Sequence, residues 1–489
     1  MRFSELLHSS GIRVRLQRGD PDIADVQIDS RACRRGSCFL AVRGHVNDGH
    51  AFIRSAVRAG ASAVVCQDID RVPPDVPAAV VDSVQAAVGP IAQAFAGWPG
   101  RELRCVGITG TNGKSTVAWM LRQALRRLGC KTGLFGTIEY DDGTDVRPAV
   151  TTTPDPVTLA GMMRALLDSG GTHLVMEVSS HALHQSRAAG IDFDAGVFTN
   201  LTGDHLDYHH TMAEYLQAKQ RLFEQLAPDA VAVVNRDDPV AEKMAAVTRA
   251  EVLYYGLSPL ARLHARIEEI GVEGTAFGVS YDAQAAAART PMIGRHNVYN
   301  YLAALGAMLA LDVPLESAIE GLSAADSVPG RLERVAGDAP FSVFVDYAHT
   351  DDALTNVLGA LLPVTCGRVI VVFGCGGDRD RAKRPRMGQV ASTFADEVVI
   401  TSDNPRGEPP REIIDQILDG LSPSARKKAH VQSDRRKAIA LSLSLAGKGD
   451  TVLIAGKGHE TYQEVRGQRT AFDDRVVAGE LLAGRETVK

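Results

Sequence analysis

The sequence is poor in cysteine, and its cysteines are not arranged for any common task. The seven, at positions 33, 38, 66, 105, 130, 366 and 375, are odd in number, scattered, and include no C-x-x-C pair. That excludes a disulfide framework and gives no zinc-ligand spacing, so they read as buried thiols. No apolar run reaches the ~18 residues of a membrane-spanning helix. The opening MRFSELLHSSGIRVRLQRGD lacks the continuous apolar stretch of a secretory leader, so a cytoplasmic protein is expected. Positive charge is not in excess either: 53 Lys and Arg stand against 59 Asp and Glu, a formal net charge of -6. Bulk electrostatic binding to nucleic acid is therefore disfavoured. A small phosphorylated ligand needs only a local cluster of cations.

What is present is a chain of 489 residues, 45% hydrophobic and 23% charged. That is too long for one core and points to roughly two to four domains. Residues 1–98 alternate short strand-like runs (SCFLAVRG, ASAVVC) with helical spacing, and GWPGREL at 97–103 supplies a linker. From 104, the runs RCVGITG, HLVMEVS, AGVFTNL and AVAVVN alternate with helical segments, the signature of an α/β fold with a mainly parallel sheet. After Arg331 the alternation restarts with FSVFVDYA, RVIVVFG, EVVITS and TVLIAGKG, each ending in polar or glycine-rich residues. Ligands of open α/β sheets bind beyond such strand ends. The expected domains are 1–98, 99–329 and 330–489. AQAAAA at 283–288 is the one low-complexity stretch.

The strongest local signal is VGITGTNGKSTVAWMLRQAL at 106–125, a strand running through a glycine loop into a helix expected to open at Ser115. Glycines let backbone N–H groups face phosphate oxygens, Lys114 can neutralise the outer phosphates, and Ser115 or Thr116 can offer a hydroxyl to Mg²⁺. Glu177 ends a strand in MEVSSHALHQSR, where a carboxylate suits a second oxygen ligand of that ion. The histidines of TNLTGDHLDYHH invite a zinc reading, which the missing cysteines disfavour. Lys219, in a helix-like segment, reads as a solvated lysine. In the C-terminal third, VDYAHT, FGCGGDRDRAKRP, SDNPR and AGKGHE bring Asp346, Arg379, Asp403, Asn404, Arg406, Lys457 and Glu460 to strand ends. Carboxylates, an amide and guanidinium groups together suit a zwitterion better than a polyanion. An isolated arginine closing an Asn-Pro turn would otherwise simply be solvated.

Taken in order, DSRACRRGSCFLAVRG, TGTNGKST, TTTPDP, EVSSHAL, TNLTGDHLDYH, GRHNVYNYLAA, VDYAHT, FGCGGDRD, DNPR and GKGHE resemble the Mur ligases, ATP-dependent enzymes that add amino acids to the cytoplasmic peptidoglycan precursor. The likeness covers nearly the whole chain and is greatest to the MurE type, which acts on UDP-N-acetylmuramoyl-L-alanyl-D-glutamate. It implies three domains: an N-terminal one gripping UDP, a central parallel-sheet P-loop ATPase, and a Rossmann-like C-terminal domain delivering the amino acid. It implies activation of the D-glutamate carboxylate as an acyl phosphate, with ATP and two Mg²⁺ ions. Gly110, Thr111, Asn112, Gly113, Lys114, Ser115 and Thr116 would hold ATP from one side, and Asn297, Arg331 and Asp346 from the other. Ser115, Glu177, His205 and Lys219 would surround the metals, Lys219 as a carbamate formed from CO₂. Ser30 would contact the uridine portion, and Thr152, Thr153, Ser179, Gln185 and Arg187 the muramyl dipeptide.

In this type, the DNPR turn resembles the signature for meso-2,6-diaminopimelate. Arg406 would clasp the distal carboxylate that L-lysine lacks, with Arg379, Asp403, Asn404, Pro405, Gly456 and Glu460 completing the pocket. Arg406 argues against a lysine-adding relative, and SSHALHQSR against a folylpolyglutamate synthase. Joint retention of Lys114, Glu177, His205 and Lys219 argues against a non-catalytic descendant. His296 stands where the family usually has phenylalanine, and Asp351 where it has proline. A monomer without a nucleic-acid partner or membrane span is expected.

Overall fold

The computed structural model describes residues 1–44 and 47–486. Two compact units are present. One comprises Met1–Ala265, Ser280–Gln284 and Tyr299–Leu322, and the other Arg266–Val279, Ala285–Val298 and the chain from Ser323.

The first unit begins with a five-stranded sheet in the order Val14–Arg18, Ala78–Val81, Ala61–Cys66, Ser37–Leu40, Asp25–Gln27. The first pair is antiparallel and the others parallel. Ser37–Leu40 is buried along its whole length, as a strand covered on both faces must be. Helix Val84–Phe95 covers this sheet, capped by Ser83, whose Oγ accepts from Ala86 N at 3.2 Å. It also packs closely against the turn that follows helix Ser180–His184: a Cβ added at Gly89 would lie 2.2 Å from Ala189 O.

The second sheet of this unit is built on parallel strands in the order Glu251–Gly256, Val231–Asn235, Ala195–Phe198, Arg104–Thr109, His173–Glu177, Thr132–Phe135. Antiparallel strands Glu139–Asp141 and Val146–Pro148 close one edge. Register places Glu177 opposite Ile108 and Phe198 opposite Thr109, so three strands end level with one another. The helix after the glycine loop begins at Lys114, one residue before the expected start. Residues 284–288 of the AQAAAA stretch lie in a strand, Gln284–Thr290, that runs on from the first unit into residues of the second and only partly buries its side chains. Alanine carries little strand propensity, so nothing local announces that element.

In the second unit, six strands run in the order Glu333–Arg334, Ser342–Asp346, Thr451–Ala455, Val369–Phe373, Glu397–Ile400, His430–Val431. The first pair is antiparallel and the rest parallel. Thr451–Ala455, late in sequence, is inserted between Ser342–Asp346 and Val369–Phe373, and open α/β sheets bind ligands beyond the carboxyl ends of their strands. Apolar clusters pack on both faces, one around Phe344, Leu354 and Ile414, the other around Val343, Ile439 and Ala478.

Between helices Arg435–Leu445 and Asp474–Glu486 lies a fully buried ion pair. Arg435 Nε and Nη2 each donate to one Asp474 oxygen at 2.7 Å. The same guanidinium donates to Ala455 O at 3.0 Å and Ser402 O at 3.3 Å, fixing two strand ends. Asp474→Ala is expected to destabilise this unit by about 3–5 kcal/mol, because it strands a buried guanidinium. Denaturant unfolding followed by tyrosine fluorescence checks it, and a change below about 1 kcal/mol would contradict the assigned role.

Candidate active site

The loop after Arg104–Thr109 is shaped by two glycines. Gly110 has φ +148° and a Cβ there would lie 1.8 Å from Thr199 Oγ1, while Gly113 has φ +87° and would meet Asn300 Oδ1 at 2.3 Å. Neither position admits a side chain without displacing a neighbour. Thr199 Oγ1 donates to Asn112 O at 2.7 Å, and Thr111 N to Asn200 O at 2.8 Å, so the loop is pinned to the adjacent strand end. Helix Lys114–Arg127 then presents its first N–H groups, an anion site by construction. Lys114 Nζ lies along the loop, donating to Gly110 O at 2.9 Å and Thr111 O at 2.8 Å. Thr116 is buried one residue beyond Ser115.

Glu177, 2% exposed, stands at the level of this loop. Its Oε2 accepts from Ser115 Oγ at 3.0 Å and Thr137 Oγ1 at 3.1 Å, and its Oε1 from Thr137 N at 2.8 Å. The structure thus brings Ser115 and Glu177 together. Thr137 is an addition that sequence reasoning missed, because it joins Glu177 only through the fold. The donor set here is entirely oxygen, which fits Mg²⁺.

Lys219 lies in helix Met212–Glu224 and is only 1% exposed, not solvated as its sequence context suggests. Its Nζ sits 4.3 Å from the Tyr215 ring centre, and it forms no ion pair among the described residues. Burial, aided by the nearby Lys114 charge and opposed by Asp204, holds its pKa well below the ordinary lysine range. Tyr215 Oη lies 3.2 Å from Thr111 Oγ1, linking this helix to the glycine loop. His205 is half-exposed, has φ +54°, and packs edge-on against His181 with ring centres 4.9 Å apart. Buried His209, 2.9 Å from Ser180 Oγ, is pushed down to about 4 by burial first and then by neighbouring histidines.

Four of the five residues expected at the muramyl dipeptide form one network. Arg187 Nη1 donates to Thr153 O at 2.9 Å and its Nη2 to Gln185 Oε1 at 2.7 Å, and Ser179 N donates to Thr153 Oγ1 at 3.1 Å. Thr152 Oγ1 stands 3.1 Å from Thr137 Oγ1, joining this network to the Glu177 site. Tyr208, unforeseen, accepts from Gln185 Nε2 at 3.0 Å. Ser30 stands apart, half-buried in the turn after Asp25–Gln27, with no described hydrogen bond to the others.

The second unit holds the remaining residues. Asp346, 5% exposed, accepts from Leu332 N and Ala348 N, both at 2.7 Å. Burial pushes its pKa up, opposed by Arg331 and the two N–H donors. Arg331 lies 5.0 Å from the Tyr347 ring centre. Asn297 donates to Ile293 O at 2.9 Å in the first turn of helix Arg295–Ala310, which also carries His296. Asp351 opens helix Asp351–Leu361, a position that proline also suits, and accepts from Arg386 Nε at 2.9 Å.

Around the DNPR turn, Asn404 Nδ2 donates to Glu460 Oε2 at 2.8 Å, while Lys457 Nζ donates to Asn404 Oδ1 at 3.2 Å and to Glu460 Oε2 at 3.1 Å. Asp403 lies 3.9 Å from Arg435, and a Cβ at Gly456 would come within 2.7 Å of Asp403 Oδ2. Pro405 O accepts from Glu408 N at 2.9 Å. Half-buried Arg406 donates from Nη1 to Gly377 O at 2.9 Å and has no carboxylate within ion-pair distance among the described residues. Arg379 is exposed, and its Nη1 donates to Asp378 O at 3.3 Å. Arg384 and Glu408, also unforeseen, form a two-pronged pair at 2.9 Å that clips the Gly376 loop to the turn through Gly376 O.

Residues 22–95, 108–308 and 330–458 match the family models described as Mur ligase family catalytic domain, Mur ligase middle domain, and Mur ligase glutamate ligase domain. The chain is 43% identical over 468 residues to the UDP-N-acetylmuramoyl-L-alanyl-D-glutamate--2,6-diaminopimelate ligase of Bacillus licheniformis, covering 94% of each chain. To the enzyme of that name in Cytophaga hutchinsonii it is 40% identical over 486 residues, covering 99% of each. A solved structure of a ligase so named superposes with a TM-score of 0.73 at 31% identity and 99% coverage of both chains. A Mycobacterium tuberculosis folylpolyglutamate synthase, 20% identical over 76% of this chain and 92% of its own, shares the fold with a TM-score of 0.61.

The Arg384–Glu408 pair is open to a pH test. Hydrogen bonds from Arg384 hold the Glu408 carboxyl down to about 2 from its ordinary 4.5. A depressed carboxyl contributes stability that is complete above the ordinary value and lost as pH falls toward 2. Glu408→Gln is therefore expected to lower stability at neutral pH and to flatten its decline between pH 4.5 and 2. Thermal unfolding across that range checks it, and parallel curves for the two proteins would contradict it.

Proposed function

The chain belongs to the Mur ligase family, and from that premise we propose that it joins meso-2,6-diaminopimelate to the D-glutamate of UDP-N-acetylmuramoyl-L-alanyl-D-glutamate. It is an ATP-dependent carbon–nitrogen ligase of peptidoglycan precursor synthesis. Residues 1–98 are assigned to the UDP portion, 99–329 to ATP, and 330–489 to the amino acid. No described helix is long and apolar enough to cross a membrane. A cytoplasmic monomer completes the reading.

The observation that carries the amino-acid assignment is Arg406: a half-buried guanidinium that, among the described residues, donates to one carbonyl and meets no carboxylate. A second carboxylate on the substrate would supply the missing charge in the bidentate geometry that guanidinium favours. Glu460 and Asn404 would take the ammonium and carboxylate of the same amino-acid centre, with Asp403, Pro405 and Gly456 shaping the wall and Arg379 at the mouth. L-lysine would leave Arg406 without its partner, so its rejection should be strong.

In the reaction, the γ-phosphoryl group of ATP passes to a D-glutamate carboxylate oxygen and ADP leaves. The amine of diaminopimelate then attacks the acyl carbon, the C–N bond forms, phosphate departs with the C–O electron pair, and the amine loses a proton. Gly110 to Thr116 would cradle the phosphates, with Lys114 turning from its loop carbonyls to the outer ones. Asn297, Arg331 and Asp346 would hold the rest of the nucleotide. Thr152, Thr153, Ser179, Gln185 and Arg187 would orient the dipeptide, and Ser30 the uridine portion. Ser115, Glu177, His205 and carbamylated Lys219 would hold two Mg²⁺ ions, which when bound neutralise charge building on the phosphoryl oxygens. The carbamate reading rests on burial: only the neutral amine attacks CO₂, and Lys219 is held toward that form.

Phosphate release from ATP with the UDP-dipeptide, comparing meso-diaminopimelate with L-lysine, tests the whole assignment. Release with diaminopimelate alone, with a tripeptide product, is expected; release with lysine instead would retain the ligase and remove Arg406 from selection. Arg406→Ala should lower kcat/KM for diaminopimelate by roughly tenfold to a hundredfold, the range of a charged hydrogen-bonded pair, with little change in KM for ATP.

Lys219→Ala should cut turnover by at least about a hundredfold, and a short carboxylic acid should restore part of it. Full activity in that variant would exclude the carbamate.

A further inference from the structure

The hairpin Tyr462–Val465 and Gln468–Ala471 has no part in the reading above, and most of its surface is exposed. Yet it grips the DNPR turn at four points. Gln463 Nε2 donates to Asp403 O at 2.6 Å, and Glu464 N to Asn404 Oδ1 at 2.9 Å. Arg406 N donates to Glu464 O at 3.1 Å, and Arg466 N to Arg406 O at 2.7 Å. Arg406 and Val465 thereby form a parallel bridge, so the turn joins the hairpin as a one-residue third strand. Three of the four bonds use hairpin backbone groups, and only Gln463 contributes a side chain.

Arg406 also has φ +48°, a left-handed conformation that a residue with a Cβ adopts only when its surroundings compensate. The two backbone bonds on either side of its α-carbon supply that compensation. They fix the direction in which the side chain leaves the turn, toward Gly377 O.

We propose that the hairpin 462–471 is the positioning element for amino-acid selection: its backbone holds Arg406 in the left-handed conformation that aims the guanidinium at the substrate's second carboxylate. Glu464 N does the same for Asn404, occupying its amide oxygen together with Lys457 and so turning the NH₂ group toward Glu460. The inference rests on the diaminopimelate reading and adds to it a device remote from the reacting atoms.

Tyr462 and Ala471 face each other in register, so a two-residue Gly-Asn turn can replace Gln463–Thr470 and close the chain. The shortened protein should raise KM for meso-diaminopimelate about tenfold or more and reduce its preference over L-lysine by a similar factor, with KM for ATP and UDP-dipeptide within about twofold. A full-length control, Val465→Thr with Gln468→Lys, keeps every backbone bond to the turn and should select as the parent does. Gln463→Ala, which removes one bond and leaves the hairpin whole, should raise KM for diaminopimelate about threefold, and it decides the matter if the shortened chain does not fold. Unchanged preference in the shortened protein overturns the proposal, as does equal loss in the control or, where the shortened chain does not fold, unchanged KM in Gln463→Ala. A parent that uses neither amino acid removes the diaminopimelate reading and this inference together, whereas a discriminating parent with an equally discriminating shortened form removes the inference alone.

Discussion

The register between strands Arg104–Thr109 and His173–Glu177 is the constraint on which the first unit's site depends. Because Ile108 faces Glu177 in a parallel pair, the glycine loop and the carboxylate leave the sheet at the same level. A slip of one residue would turn Glu177 to the opposite face. Ser115 and Thr137 could then no longer share it, and the link through Thr152 to the Arg187 network would be lost. The loop itself tolerates no slack, since Gly110 touches Thr199 and Gly113 touches Asn300.

Buried polar groups in this chain divide by how completely they are satisfied. Arg435 and Asp474 neutralise each other and serve the architecture. Arg384 and Glu408 do so nearer the surface and clip two loops together. Lys219 and Arg406 differ: among the described residues, one faces an aromatic ring with no carboxylate partner, and the other donates to a backbone carbonyl with no carboxylate within ion-pair distance. Such incompletely compensated cations are where chemistry or ligand binding is expected, because a purely structural role would favour a partner.

The site residues that were legible in the sequence are those whose roles are local. Gly110, Gly113, Lys114 and Ser115 lie within six residues and announce a phosphate loop through order alone. Asp403 to Arg406 announce a turn because proline restricts its neighbour. Lys219 was singled out by family resemblance alone and its burial was silent, since helix spacing does not say which face is covered. Thr137, Tyr208 and Arg384 were silent for a different reason: each meets its partner across 23 to 40 residues. The strand Gln284–Thr290 escaped because its alanines carry no periodic signal.

The sequence by itself determined the alternation of strands and helices, the phosphate loop and the turn that carries Arg406, because these follow from short-range backbone preference and hydrophobic spacing. Only the tertiary structure decided that Lys219 is buried and held toward its neutral form. It alone decided that Arg406 is left-handed with no carboxylate within ion-pair distance among the described residues, and that an exposed hairpin supplies the bonds that keep it so. The physical reason is that desolvation, charge compensation and backbone strain are set by groups far apart in the chain, and only the completed fold brings them within hydrogen-bonding distance.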